Sequence, residues 1–112
     1  MNIAERQVGS ITVVSPSGKI VLDNTGTLKA KVASLLAAGH KQIILDLAGV
    51  TMIDSSGLGE LVSCHTTASR EKGAVKLVNL GKRTTDLLVM TKLIMVFNVY
   101  DSEQEAIASF GG

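Results

Sequence analysis

Asp54-Ser55-Ser56-Gly57-Leu58-Gly59 sets two hydroxyls directly behind a carboxylate and ahead of two glycines. Three kinds of chemistry use such a set: a serine nucleophile, a helix cap, and an oxygen that receives a phosphoryl group. A nucleophile needs a base within hydrogen-bond reach and a group that orients the base. The chain has two histidines. His65 follows Ser55 on the same expected helix, roughly 15 Å away along its axis. His40 follows the preceding helix and belongs at the opposite end of the sheet. The stretch is not G-x-S-x-G either, because Ile53 and Asp54 precede the serine. A small hydrolase built on Ser55 therefore lacks its base.

As a cap, Asp54, Ser55 or Ser56 accepts a hydrogen bond from the first helical turn, a contribution of roughly 1 kcal/mol. Ser56 is the cap candidate. Capping alone leaves Gly57 and Gly59 unexplained, since two glycines in the first turns cost roughly 1–2 kcal/mol of helix propensity. Their bare backbone suits the close approach of a partner. Nucleotide loops fit poorly. Gly57-Leu58-Gly59 runs into Val62 where G-x-G-x-x-G needs its third glycine. Gly81-Lys82 with Thr84 resembles the end of a P-loop, but Lys76 stands where the first glycine belongs and Arg83 interrupts. What remains is a covalent phosphate on Ser55 or Ser56, at a helix N-terminus whose free N–H groups and partial positive charge favour an anion.

The elements that position this stretch follow from apolar patterning. A weak strand over Ile3–Val8 and a β-branched run over Ile11–Val14 form an antiparallel pair joined at Gly9-Ser10, with a turn at Ser15-Pro16-Ser17-Gly18. Leu28, Val32, Leu35 and Leu36 share one helical face, capped by Asn24, Thr25 or Thr27 and stopped at Gly39. Ile43-Ile44-Leu45 reads as a strand buried on both faces. Leu58, Leu61, Val62 and His65 mark the second helix, ended by Gly73. A strand over residues 74–80, a helix over 82–93 and a strand over 94–100 come next. Ser102 and Glu105 then form the capping box of a last helix, before a frayed end at Gly111-Gly112. The order β-β-α-β-α-β-α-β-α implies one domain over residues 1–112, without linker or repeat. It also implies a mixed, mostly parallel sheet with an antiparallel N-terminal edge and right-handed crossovers.

Composition removes several functions. The chain is 46% apolar but only 3% aromatic, so base-stacking platforms are missing. Eleven basic and ten acidic residues leave a net charge of +1, which is no footprint for nucleic acid or an anionic membrane. There is one cysteine, Cys64, so no internal disulfide forms. Neither a signal core nor a membrane-length apolar run is present, and a cytoplasmic protein is expected. Cys64 and His65 point about 100° apart on a helix and do not share a metal; no metal or cofactor is expected. Cys64 reads as a semi-buried filler and His65 as a partly buried core histidine. Met90 and Met95 read as core, and Lys82, Arg83 and Lys92 as a solvated face.

"LDLAGVTMIDSSGLGELV" resembles the signature of STAS domains, in particular the bacterial anti-sigma factor antagonists. Gly18-Lys19-Ile20, "VKLVNL" and "KLIMVFNVYDSEQEAI" extend the resemblance over nearly the whole chain. It implies a right-handed βα superhelix of α/β class, with helices mainly on one face. The implied function is not enzymatic. The unphosphorylated protein binds an anti-sigma factor that is also an ATP-dependent serine kinase, and so frees a sigma factor. Phosphorylation of the first serine after the aspartate, here Ser55, switches binding off, and a metal-dependent serine phosphatase restores it. The implied docking residues are Asp23, Asn24, Asp54, Ser55, Ser56, Gly57, Leu58, Gly59 and Glu60. Asp54 shapes the loop or contacts the kinase, and Glu60 and Ser63 face outward beside this stretch. Antagonists often read Gly-Glu-Leu-Asp where this chain has Gly18-Lys19-Ile20-Val21; Asp23 and Asn24 supply the polarity just beyond. His65 stands where relatives often carry a larger aromatic. An alternative keeps the fold but loses the switch: a structural STAS subunit of a lipid-transport or stressosome-like assembly.

Overall fold

The apolar runs become strands and the 3.6-residue patterns become helices. Their order is β1 (Asn2–Val8), β2 (Ile11–Ile20), α1 (Thr27–Ala37), β3 (Gln42–Asp46), β4 (Val50–Ile53), α2 (Ser55–Arg70), β5 (Ala74–Val78), α3 (Lys82–Met90), β6 (Asn98–Tyr100) and α4 (Glu103–Ser109). A 3-10 turn follows β2 at Leu22–Asn24 and another follows α3 at Leu93–Met95. The computed structural model describes residues 1–111; the expected frayed end includes Gly112, which lies outside the described residues.

The sheet runs β1-β2-β3-β5-β6, with β4 attached to β2 alone. β1 and β2 are antiparallel and close on Gly9-Ser10, as the sequence implies; every other pairing is parallel. Alternation along the central strands gives the sheet two apolar faces. Val14, Ile43, Leu45, Val75 and Leu77 pack under α1, α2 and α3. Ile11, Val13, Ile44 and Val78 pack under α4. On that second face β5 presents Lys76, which is buried. Its ammonium lies 4.0 Å from the centroid of the Phe110 ring and donates to Ser109 Oγ at 2.7 Å. Aromatic face and hydroxyl together replace the water that this cation loses.

Four expectations are corrected. The turn at Ser15–Gly18 is continuous strand, because β1 pairs with β2 as far as Ser17. On its other edge β2 pairs with β3 through Val14 and with β4 from Gly18. Pro16 falls in the interval, where the missing N–H disturbs no ladder on that side. The turn signal appears only as a register shift after Gly18, whose φ is +93°. Second, β4 was not foreseen: it is four residues long and exposes Thr51 and Met52. Third, the strand expected over 94–100 shrinks to its last three residues, the chain before it being coiled into the 3-10 turn. Fourth, Met90 and Met95 are not core: they are 80% and 84% exposed. Leu88 and Phe97 fill the inner positions instead. The Ser102 cap is as expected, with Glu105 N–H donating to Ser102 Oγ at 3.2 Å.

Substituting Met95→Lys should leave stability within about 0.5 kcal/mol of the parent in urea titration, as for surface changes generally. A core methionine replaced by lysine would lose several times that.

Candidate functional site

α2 starts at Ser55 because Asp54, in extended conformation, ends β4 and caps the helix. Asp54 Oδ1 accepts from Gly57 N–H at 2.8 Å. The cap is therefore Asp54 and not Ser56, which is half-buried. Neither serine makes a side-chain hydrogen bond within the described residues. The Gly57 N–H, followed by smaller contributions that include Leu22 N–H, holds the Asp54 carboxyl below its usual 3.8, against a partial desolvation that raises it.

The second oxygen of Asp54 reaches sideways and accepts from Leu22 N–H at 3.2 Å. This ties the loop after β2 to the start of α2, and so brings Asp23 and Asn24 beside Ser55. Asn24 is an internal brace of that loop: its Oδ1 accepts from Val21 N–H at 3.0 Å and its Nδ2 donates to Lys19 C=O at 2.7 Å. Asp23 is exposed.

The two glycines have different reasons. A Cβ on Gly57 would stand 2.0 Å from the carbonyl oxygen of Ile20 and 2.8 Å from Ile53 Cγ1. Gly57 is buried, and what approaches it closely is the end of β2, not a partner. A Cβ on Gly59 would meet nothing within 4 Å, and Gly59 is exposed.

Glu60 departs furthest from expectation. It does not face outward; it is 3% exposed and lies between α2 and α1. Its carboxylate accepts from the N–H groups of Gly26, of Leu28 at 2.7 Å and of Lys29 at 3.1 Å. α1 has Gly26 at its cap position and no side-chain cap of its own, so Asn24, Thr25 and Thr27 do not perform the role foreseen for them. An acid from the neighbouring helix satisfies N–H groups that would otherwise be orphaned. Two sequence signals point to this arrangement. Gly57, Glu60, Leu61, Cys64 and Ala68 form one stripe at helical spacing, and all are buried. The chain also offers a glycine where α1 needs an acceptor.

Burial thus removes Gly57, Leu58 and Glu60 from any docking surface. What faces solvent is Asp23, Ser55 and Gly59, with Ser56 and Asn24 partly accessible. Leu22 joins them at 69% exposed and Met52 at 49%; both were missed, since a lone apolar residue carries no periodicity. Cys64 is fully buried rather than semi-buried. Burial, and after it the charge of Glu60, pushes its thiol up to about 12, so it stays protonated at neutral pH and is no nucleophile. His65 packs edge-on against Phe97, with centroids 5.7 Å apart.

The model of the STAS domain family matches residues 2–106. The chain belongs to the STAS domain family. A protein of Thermotoga neapolitana assigned as an anti-sigma factor antagonist is 28% identical over 106 residues, 94% of each chain. The crystal structure of a Thermotoga maritima protein of the same assignment superposes with a TM-score of 0.88 at 26% identity, covering 96% of this chain and 92% of that one. The antagonist SpoIIAA in its unphosphorylated form matches with a TM-score of 0.73 at 21% identity over 99% of both chains. SpoIIAA of Bacillus in its phosphorylated form matches equally well, at 0.73 and 19% identity, over 97% of this chain and 99% of that one. Among the described residues this STAS domain combines an antiparallel β1-β2 edge, a parallel remainder and four α-helices. Among the described residues no helix is long and apolar enough to cross a membrane.

Replacing Glu60 by Ala should cost about 2–4 kcal/mol in chemical denaturation, since buried donors lose their acceptor. Glu60→Gln should lose less, because it keeps one acceptor oxygen. Equal losses would sink the capping role. For Asp54 the sign follows from its lowered carboxyl. The stability lost in Asp54→Asn should be fully present above pH 3.8. It should vanish as pH falls through the lowered value in the folded state; acid titration of both proteins checks this.

Proposed function

We propose that this STAS domain is an anti-sigma factor antagonist whose docking surface is switched by phosphorylation of Ser55. The observation that carries the reading is the placement of Ser55. Its hydroxyl is exposed and unbonded on the first residue of a 16-residue helix. The hydrogen bond from Leu22 to Asp54 brings Leu22 and Asp23 beside it, and Ser56 and Gly59 share its helix. The names of the relatives and the likeness to SpoIIAA support the same reading.

In this mechanism the unmodified surface binds an anti-sigma factor with serine kinase activity, and the sigma factor is released. The kinase transfers the γ-phosphoryl group of ATP to Ser55 Oγ. The hydroxyl loses its proton, the bond from the γ-phosphorus to the bridging oxygen breaks, and ADP leaves. The product carries nearly two negative charges at neutral pH. The start of α2 tolerates them, because its unpaired N–H groups and dipole favour an anion. The nearby Asp54 carboxylate opposes them. The domain therefore stays folded while bulk and charge fill the centre of the docking surface, and the partner leaves. A serine phosphatase hydrolyses the phosphoester and restores the hydroxyl.

Ser55→Asp should melt within about 1 kcal/mol of the parent, the size of a helix-dipole effect, and the unmodified protein should capture a serine kinase from its native cells that Ser55→Asp fails to capture. Intact mass and fragmentation of the native protein should place one phosphate on Ser55. Absence of phosphate under every growth condition, with capture unchanged in Ser55→Asp, would favour an unswitched STAS subunit.

A further inference from the structure

A groove of about 680 Å³ is lined by β4 and α3. All four residues of β4, Val50 to Ile53, line it. Successive side chains of a strand point to opposite faces, so four in a row line one groove only where the edge of the strand looks into it. Among the described residues β4 pairs with β2 and with no other strand. Its outer edge therefore presents N–H and C=O groups free to pair with another extended chain. Apolar walls are supplied by Leu87 and by two exposed methionines, Met52 and Met90, whose flexible thioethers adapt to what they cover.

One end of the groove is positive. Gly81 caps α3 without a side-chain acceptor, and the first helical hydrogen bond runs from Thr85 N–H to Gly81 C=O at 2.9 Å. The N–H groups of Lys82, Arg83 and Thr84 have no helical partner. Thr84 lines the groove at only 9% exposed. Its hydroxyl makes no hydrogen bond within the described residues. No fully sealed side-chain oxygen or nitrogen there is unpartnered, so this hydroxyl opens into the groove. Lys82 is paired with Asp86 at 3.0 Å. Arg83 has no carboxylate partner among the described residues, which leaves this end one positive charge in excess.

We propose that the groove binds the C-terminal segment of a partner protein. The segment adds as an extended strand of about four residues to the free edge of β4, with apolar side chains toward Met52, Leu87 and Met90 and its terminal carboxylate over the start of α3. The lengths agree. α3 has nine residues, about 13 Å at 1.5 Å each, which an extended chain spans in about four residues; β4 is itself four residues long. A terminal carboxylate lies in line with its own backbone, so edge pairing and capture by free N–H groups act on the same short segment. The inference stands on the groove alone and does not require a phosphate at Ser55.

The test uses a fluorescein-labelled peptide, Gly-Ser-Gly-Val-Leu-Val-Leu, as free acid and as C-terminal amide, titrated into the protein by anisotropy and by nitrogen-15 amide shifts. The free acid should bind about tenfold more tightly than the amide, a difference of about 1.4 kcal/mol, with shifts confined to residues 50–53 and 81–90. Arg83→Glu, at an exposed side chain, should abolish that preference while leaving the rest of the spectrum unchanged. Equal affinity of acid and amide, shifts elsewhere, or no binding at about millimolar peptide would overturn the proposal. So would concentration-dependent shifts of the same residues without peptide, which would give the groove to a second copy of this chain.

Discussion

One buried carboxylate holds the start of α1 in place, and the geometry around Ser55 follows from it. Glu60 accepts from three consecutive-region donors, the N–H groups of Gly26, Leu28 and Lys29, at a helix end with no cap of its own. Asp54 does the same for Gly57 and, across the loop, for Leu22. Between these acids Gly57 lets the backbone of α2 sit against the carbonyl of Ile20. Residues 54–60 therefore fasten residues 20–29 at four backbone donors and one tight contact. The loop after β2 and the first turns of α2 form one rigid piece. Leu22, Asp23 and Ser55 keep fixed relative positions before any partner arrives, so ordering them costs little on binding.

The same constraint explains which features were legible in the amino-acid order. Ile43-Ile44-Leu45 read as a central strand because burial on both faces leaves an unbroken apolar run, and Val75, Leu77 and Val78 read as a strand although Lys76 interrupts them. The junction at Asp54–Ser55 read as a helix start because only a few residue types cap helices. Which of three adjacent oxygens does the capping is decided by backbone conformation, and Asp54 wins because it is the last extended residue. Glu60 was misplaced because acids on helices are usually solvated. Its register with Leu61 and Cys64 was visible, but its partners lie in an element more than thirty residues earlier in the chain. β4 left almost no trace, since a four-residue strand with one paired edge and two exposed side chains has no periodicity of its own. Met90 and Met95 show the converse: the pattern of a helix or a strand places apolar residues on a face but does not say whether anything covers it.

The two faces of the sheet solve burial differently. Under α1, α2 and α3 the core is aliphatic and continuous. Under α4 the layer is thin, and a lysine completes it, with its stem on the sheet and its ammonium between Phe110 and Ser109. The three aromatic residues all lie between positions 97 and 110. Two of them, Tyr100 and Phe110, stand near that ammonium, at 5.6 and 4.0 Å. The aromatic residues are thus spent on closing the fold, which leaves the exposed surface with aliphatic and thioether groups, Leu22, Met52 and Met90 among them.

A protein with net charge +1 has little long-range field with which to attract or repel a partner, and salt screens what exists beyond about 8 Å. A charge-based switch on such a surface has to be local. One phosphate would carry the whole chain from +1 to about −1, yet its effect on binding depends on where it sits far more than on that change of sign. Placed on a flexible loop, it would swing into water and be screened. Placed at Ser55, it is held by a helix that Asp54 starts and Glu60 anchors to its neighbour. It cannot leave the centre of the surface without unravelling contacts that also hold α1. In the proposed switch, the rigidity contributed by two acids is what would make one modified hydroxyl sufficient.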